Sequence, residues 1–214
     1  MPARILILAL TLLGAAVILS SLDSKSLWGD ELAIISFADG TLGELFTEVF
    51  TTGRNPTWFW SVVHFFTHPP IDYLVRFPPA FFGILAVPAI YQLGRTYFSR
   101  RIGLLTALLL ALSALHVAYA QEVREYSALV AFAILAATFL QRWLTRPFRA
   151  NWLLFTLCAL LMVTAHAYGA LPMIAMGTYT LFVFIDEWRR SAEDEPRRAA
   201  LWRKIRQFAV TAAV

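Results

Sequence analysis

Long apolar blocks alternate with short polar interruptions along this chain, and each block has the length of a membrane helix rather than the spaced apolar face of a soluble one. Ile5–Leu22 carries no charge and is about long enough to cross a hydrocarbon core of roughly 30 Å. A cleaved leader is the rival reading of this block, but Ser20-Ser21-Leu22-Asp23 is a poor cleavage site, so it reads as a retained first helix. Further spans are predicted at Tyr73–Tyr97, with a kink from its prolines, and at Ile102–Ala120, Tyr126–Leu144, Trp152–Tyr168 and Ala170–Ile185. Phe208–Val214 begins another apolar run. The prediction is an all-α polytopic membrane protein with about six transmembrane helices and the start of a seventh, residues 1–214 forming one transmembrane domain, the amino-terminal part of a longer module.

Residues 23–72 break the pattern. This first outer loop holds no full span, but Asp30–Ala38 and the aromatic Pro56–Phe66 have the character of short helices lying in the membrane interface. Charge then orients the chain. With the amino terminus cytoplasmic, fourteen of the 18 Lys and Arg residues fall on the inner side; Lys25, Arg54, Arg76 and Arg124 fall outside. The chain is expected in a cell (inner) membrane. The net charge of +4 follows topology and is no sign of a nucleic-acid partner. Hydrophobic residues make up 59% and charged ones 15%, against about 45–50% and about 25% in soluble domains. The single Cys158 lies in an apolar block without a disulfide partner and reads as a packing residue.

The same topology sorts the polar groups that could do chemistry. Asp30, Glu31 and Arg54 fall in the first outer loop, Gln121, Glu122, Arg124, Glu125 and Tyr126 in the second, and His166 and Tyr168 in the third. Carboxylates, guanidinium groups and an imidazole thus emerge at one surface, which favours an active site there. Each has a plainer reading too. Asp30 and Glu31 stand where acids favour the start of a helix; Glu122, Arg124 and Glu125 fit a solvated turn; His166 fits a helix end; Arg76 fits a side chain snorkelling to the surface.

Spacing and order add a resemblance. Trp28-Gly29-Asp30-Glu31, then Asn55-Pro56-Thr57-Trp58-Phe59-Trp60, then Arg76-Phe77-Pro78-Pro79 through Gly83 to Arg95, and Tyr119-Ala120-Gln121-Glu122-Val123-Arg124-Glu125-Tyr126 follow one another. The series resembles the amino-terminal half of the GT-C glycosyltransferases, in the branch of protein O-mannosyltransferases and lipid A aminoarabinose transferases. The family often has a basic residue followed by Pro-Pro in the first loop, where this chain has Arg54-Asn55-Pro56-Thr57.

The resemblance implies a GT-C-like fold and a membrane glycosyltransferase moving a sugar, with inversion, from a polyprenyl-phosphate donor to a hydroxyl of a glycan, lipid or protein acceptor at the outer face. Asp30 would act as base, with Glu31 orienting it or the acceptor. Arg124 and Arg54 would hold the phosphate, Glu122 would position Arg124 or a sugar hydroxyl, and Gln121, Tyr126 and His166 would line the substrate site. Some relatives bind a divalent metal through acids of the first two outer loops, which would recruit Asp30 and Glu122. The alternative is a multi-pass transporter or flippase subunit for a lipid-linked or small polar substrate. Such a path needs ionisable groups at mid-membrane depth, and these spans contain almost none.

Overall fold

A computed structural model describes residues 3–51, 58–68, 71–191 and 194–212. They form helices α1 (Ala3–Leu19), α2 (Gly29–Ala38), α3 (Leu42–Thr51), α4 (Trp58–His64), α5 (Asp72–Val75), α6 (Phe77–Tyr97), α7 (Arg100–Ala111), α8 (Ala114–Ala120), α9 (Tyr126–Thr145), α10 (Arg149–Ala165), α11 (Ala170–Arg190) and α12 (Glu195–Ala212). A single 3-10 turn, Ala167–Gly169, joins α10 to α11, and no strand occurs among the described residues.

Among the described residues three helical stretches are long and apolar enough to cross a membrane: Phe77–Tyr97, Tyr126–Thr145 and Ala167–Arg190. The predicted third span is bent by 61° between α7 and α8, and counting the pair as one span gives four. Helices α1 and α10 are apolar but have 17 residues each; at 1.5 Å per residue they reach about 25 Å, short of a roughly 30 Å core. Length and apolarity therefore do not reach the expected count of six spans and the start of a seventh. The described part of the apolar run expected at Phe208 is the end of α12, a helix whose first part, residues 195–206, is rich in charge.

Helix α6 is central, packing against α1, α7, α8 and α9. Its glycines make the close approaches possible. A Cβ on Gly83 would stand 2.5 Å from the Ala120 Cβ, and one on Gly94 would stand 2.8 Å from the Gly103 Cα. Small residues let membrane helices meet at backbone distance, where dispersion and not water exclusion drives packing. Pro78 and Pro79 occupy the first turn of α6, which tolerates missing N–H donors, and the helix continues through Pro88. At the α7/α8 bend, the Ser113 hydroxyl accepts from the His116 amide at 3.4 Å. The buried His116 ring donates from Nε2 to the Gly83 carbonyl at 3.0 Å, so a polar bond ties the broken helix to α6.

The aromatic run of the first outer loop turns inward rather than lying only at an interface. Phe59 is fully buried, and Trp58 packs edge-on against Phe82 and Phe132 while donating from Nε1 to the Leu161 carbonyl at 2.9 Å. Helix α2 packs on α4, with Phe37 stacked on Trp60. Helix α3 begins with a capping box: the Thr41 hydroxyl accepts from the Glu44 amide at 3.2 Å, and the Glu44 carboxylate accepts from the Thr41 amide at 2.7 Å.

Candidate active site

The starts of α2, α6 and α9 and the end of α10 meet at one end of the bundle. The basic residues of the α6, α9 and α11 ends and of α12 lie at the other. The segment joining α8 to α9, Gln121–Glu125, is a tight turn whose backbone bonds locally, from the Arg124 amide to the Glu122 carbonyl at 2.6 Å. It brings four polar side chains into reach of the loop after α1.

Glu31 and Arg76 form the base of this region. Glu31 is fully buried and Arg76 is 3% exposed. The guanidinium grips the carboxylate with Nε to Oε1 at 3.0 Å and Nη2 to Oε2 at 2.8 Å. Its remaining donors go to the carbonyls of Leu22 (3.0 Å), Lys25 (2.7 Å) and Ser26 (3.3 Å), so all five arginine N–H donors are used. Glu31 also accepts from the Val123 amide at 2.9 Å and the Trp28 amide at 3.3 Å. One buried pair thus fixes the loop after α1, the start of α2, the start of α6 and the turn that carries Arg124. Arg76 does not snorkel to the surface; it points into the protein.

Above it sits a more open pair. Asp30 is exposed, and Arg124 Nη1 donates to Asp30 Oδ2. Arg124 Nη2 donates to the Tyr126 hydroxyl at 3.0 Å, and the guanidinium lies 5.1 Å from the Tyr126 ring centre. Its Nε is buried without a partner. Tyr126 packs on Tyr119 and on His166, with centroids 5.0 and 5.3 Å apart. His166 packs in turn on Tyr168 at 4.6 Å, and its Nδ1 accepts from the Tyr168 amide at 3.0 Å. That bond leaves Nε2 facing Glu125 Oε1, 3.9 Å away. Glu125 is buried, its Oε2 has no partner, and neither does the buried hydroxyl of Ser127. The supposed solvated turn is mostly inside the protein.

The remaining candidates fall into place around this. Gln121 is turned toward α1, donating to the Ile18 carbonyl at 2.9 Å and the Ser21 hydroxyl at 2.8 Å. Glu122 is half-buried; burial and the nearby Glu31 charge hold its carboxyl above the usual range, partly offset by Arg124, Lys25 and Arg76. Arg54 lies outside the described residues. Among the described residues no three of His, Cys, Asp and Glu gather as metal ligands, and Asp30 is occupied by Arg124. The residues present do not fit a bound divalent ion.

Arg76 and Ser127 are site residues that sequence reasoning did not assign, and Glu125 is one that it placed in the second outer loop without a role. Below Tyr126 a groove of about 550 Å³ runs along the spans between α7/α8 and α9, lined by His116, Tyr119, Tyr126, Ser127, Tyr168 and apolar side chains of those helices.

An all-helical bundle with apolar spans, and with paired charges collected at one end, defines a membrane protein with a polar cluster at one end of its helices. The sequence profile of the dolichyl-phosphate-mannose-protein mannosyltransferase family matches residues 56–197, and the chain belongs to that family. It is a membrane glycosyltransferase of the GT-C type, mannosyltransferase-like. No curated protein and no solved structure matches the chain. The matched region includes Arg76, Arg124, Tyr126 and His166 and leaves out Asp30 and Glu31, which the fold brings to Arg76 and Arg124.

Proposed function

We propose that this protein transfers a sugar, with inversion, from a polyprenyl-phosphate donor to an acceptor hydroxyl at the outer membrane face, with the amino terminus cytoplasmic and six passages through the bilayer. The observation that carries the reading is Arg124: it is paired to an exposed carboxylate, keeps unused donors, and is bonded to a tyrosine that lines a membrane-facing groove. A donor whose tail lies in that groove has its phosphate at the level of Arg124. Phosphate is a bidentate partner for a guanidinium, so its arrival releases Asp30.

The step then balances with this chain's own groups. The acceptor oxygen attacks the anomeric carbon from the face opposite the phosphate and gives its proton to the Asp30 carboxylate. The bond from the anomeric carbon to the phosphate oxygen breaks, and its electron pair leaves on the phosphate, where Arg124 balances the charge. Glu31 acts here as a positioning residue: it holds the Val123 amide and Arg76, and so sets Asp30 opposite Arg124. Tyr126 and His166 form the wall of the sugar site, and Glu122 lies beside it.

The test is reconstitution of the protein in proteoliposomes with polyprenyl-phosphate mannose of one defined anomeric configuration. The expected result is release of polyprenyl phosphate with a product of the opposite anomer. A product of the same anomer would overturn the single-displacement step. Absence of release with any polyprenyl-phosphate sugar, from protein that still melts cooperatively, would overturn the donor class.

A further inference from the structure

The end of the bundle opposite the candidate site carries a second polar feature that the transferase reading does not use. Between the α9/α10 connection and α12 lies a groove of about 280 Å³ lined by Pro147, Arg149, Ala200, Arg203, Lys204 and Gln207. Three cations from two separate elements converge there, and no carboxylate lines it. Lys204 is spoken for: its Nζ donates to both oxygens of Glu187, at 2.8 and 3.1 Å, and to the Leu144 carbonyl at 3.1 Å. Arg149 and Arg203 are exposed, and among the described residues neither guanidinium engages a side chain. Two acids of this end are paired with other arginines, Asp186 with Arg190 at 3.0 Å and Asp194 with Arg197 at 2.9 Å.

The floor is rigid. The Gln207 side-chain oxygen accepts from Trp143 Nε1 at 3.3 Å and its backbone carbonyl from Trp152 Nε1 at 3.2 Å, while Phe208 stacks on Phe155. Among the described residues the Gln207 side-chain amide nitrogen makes no bond. Exposed aromatic side chains neighbour the lining in sequence, Phe148 beside Arg149 and Trp202 beside Arg203, with Trp188 edge-on against Trp202, and Trp settles at the level of lipid headgroups. A preformed cleft with two unspent guanidinium groups and an amide donor matches a phosphodiester, since arginine forks pair with phosphate oxygens. Its place among aromatic rings, at the ends of apolar helices, puts that phosphodiester in the bilayer surface and not in free solution.

We propose that this groove binds the headgroup of an anionic phospholipid in the leaflet opposite the candidate site, with Arg149 and Arg203 as the phosphate ligands. The lipid would bridge the α9/α10 connection to α12.

The test is retention of phosphatidylglycerol by the protein in detergent, measured by native mass spectrometry after reconstitution in phosphatidylcholine vesicles containing phosphatidylglycerol. Arg149→Ala with Arg203→Ala should lower retention about thirtyfold, roughly fivefold to sixfold for each cation near a membrane surface. Arg149→Lys with Arg203→Lys should retain an intermediate amount and provides a comparison if the alanine pair folds poorly. Arg100→Ala with Arg101→Ala, exposed cations at the start of α7 that do not line this groove, should change retention little. Equal losses from both alanine pairs would reduce the effect to diffuse charge and overturn a built site, as would no loss from either. Displacement of the lipid by millimolar inorganic phosphate would assign the groove to a soluble anion instead.

Discussion

Asp30 and Glu31 are neighbours in the chain, and each meets an arginine from far along the sequence, yet the two pairs differ in almost every physical respect. Glu31–Arg76 is closed, with side chains 1% and 3% exposed, and every donor of its guanidinium is bonded. Asp30–Arg124 is open: Asp30 is 54% exposed, Arg124 is 18% exposed, and the Arg124 Nε has no partner. A saturated, desolvated pair has nothing left to offer a ligand and holds structure. An unsaturated pair at a surface can exchange its partner. Adjacent carboxylates of the same chemical class thus separate into a positioning group and a reactive one by what surrounds them. The family profile reaches only the arginine side of each pair, so it is the fold that completes them.

The widest separation between the pairs is expected in catalysis. Asp30→Asn keeps the shape and removes the base, so transfer should fall by about 10²–10⁴, while melting in detergent stays close to wild type because exposed pairs contribute only about 0–1 kcal/mol. Normal transfer by Asp30→Asn would return the residue to a helix-start role and break the comparison.

Next comes stability. Arg76→Ala leaves the Glu31 carboxylate buried without its counter-charge, a loss of about 3–5 kcal/mol. Thermal melting should drop sharply, and Arg76→Lys should recover only part of it, since a point charge cannot supply five directed donors. Unchanged melting in Arg76→Ala would mean that the closed pair does not hold the site together.

How far these roles could be read beforehand depends on the range of the interaction involved. The blocks that became α6, α9 and α11 were visible because a membrane span writes its full length into consecutive apolar residues. The loop helices α2 and α4 were also visible, from acids at one start and aromatics in the other. The break at Ser113 was not, because Ile102–Ala120 is apolar on both sides of one small polar residue whose capping bond appears only in three dimensions. Helix α3 left a local signal, Thr41 followed by Glu44, that went unused. The plainer reading of Arg76 as a snorkelling side chain fails because its partner lies 45 residues away. Long-range pairing has no local signature in one sequence. The gathering of Asp30, Arg124, Tyr126 and His166 was foreseen only as a shared membrane side; that they touch through the α8–α9 turn was not.

The third expected effect tests the open pair from its basic side. Arg124→Ala should weaken binding of a polyprenyl-phosphate analogue by about 1.5–3 kcal/mol, the range of a charge-assisted bond, with melting little changed. Arg124→Lys should lose less, keeping charge without the fork. Unchanged affinity in Arg124→Ala would remove it from the donor site and leave the Tyr126 groove without a phosphate ligand.

The smallest effect is a pH dependence that reads the electrostatic coupling between the two pairs. Glu122 precedes Val123, whose amide Glu31 holds, and its carboxyl is pushed above 4.5 by burial and then by the Glu31 charge, against the pull of Arg124, Lys25 and Arg76. With a raised folded pKa, the folded protein keeps a proton that the unfolded chain has already lost. The stability from this group is therefore present below about pH 4.5 and falls as pH rises through the folded value. Glu122→Gln has no proton to lose, so its melting temperature should gain on wild type over that window and then hold a constant lead. The half-exposed position limits the gain to under about 1 kcal/mol. In an Arg124→Ala background one offsetting cation is gone, so the lead should widen and its plateau should be reached at a higher pH. A lead that is flat with pH in both backgrounds would show that neither burial nor the charge of the closed pair shifts Glu122, and the two pairs would then be coupled through the Val123 backbone alone.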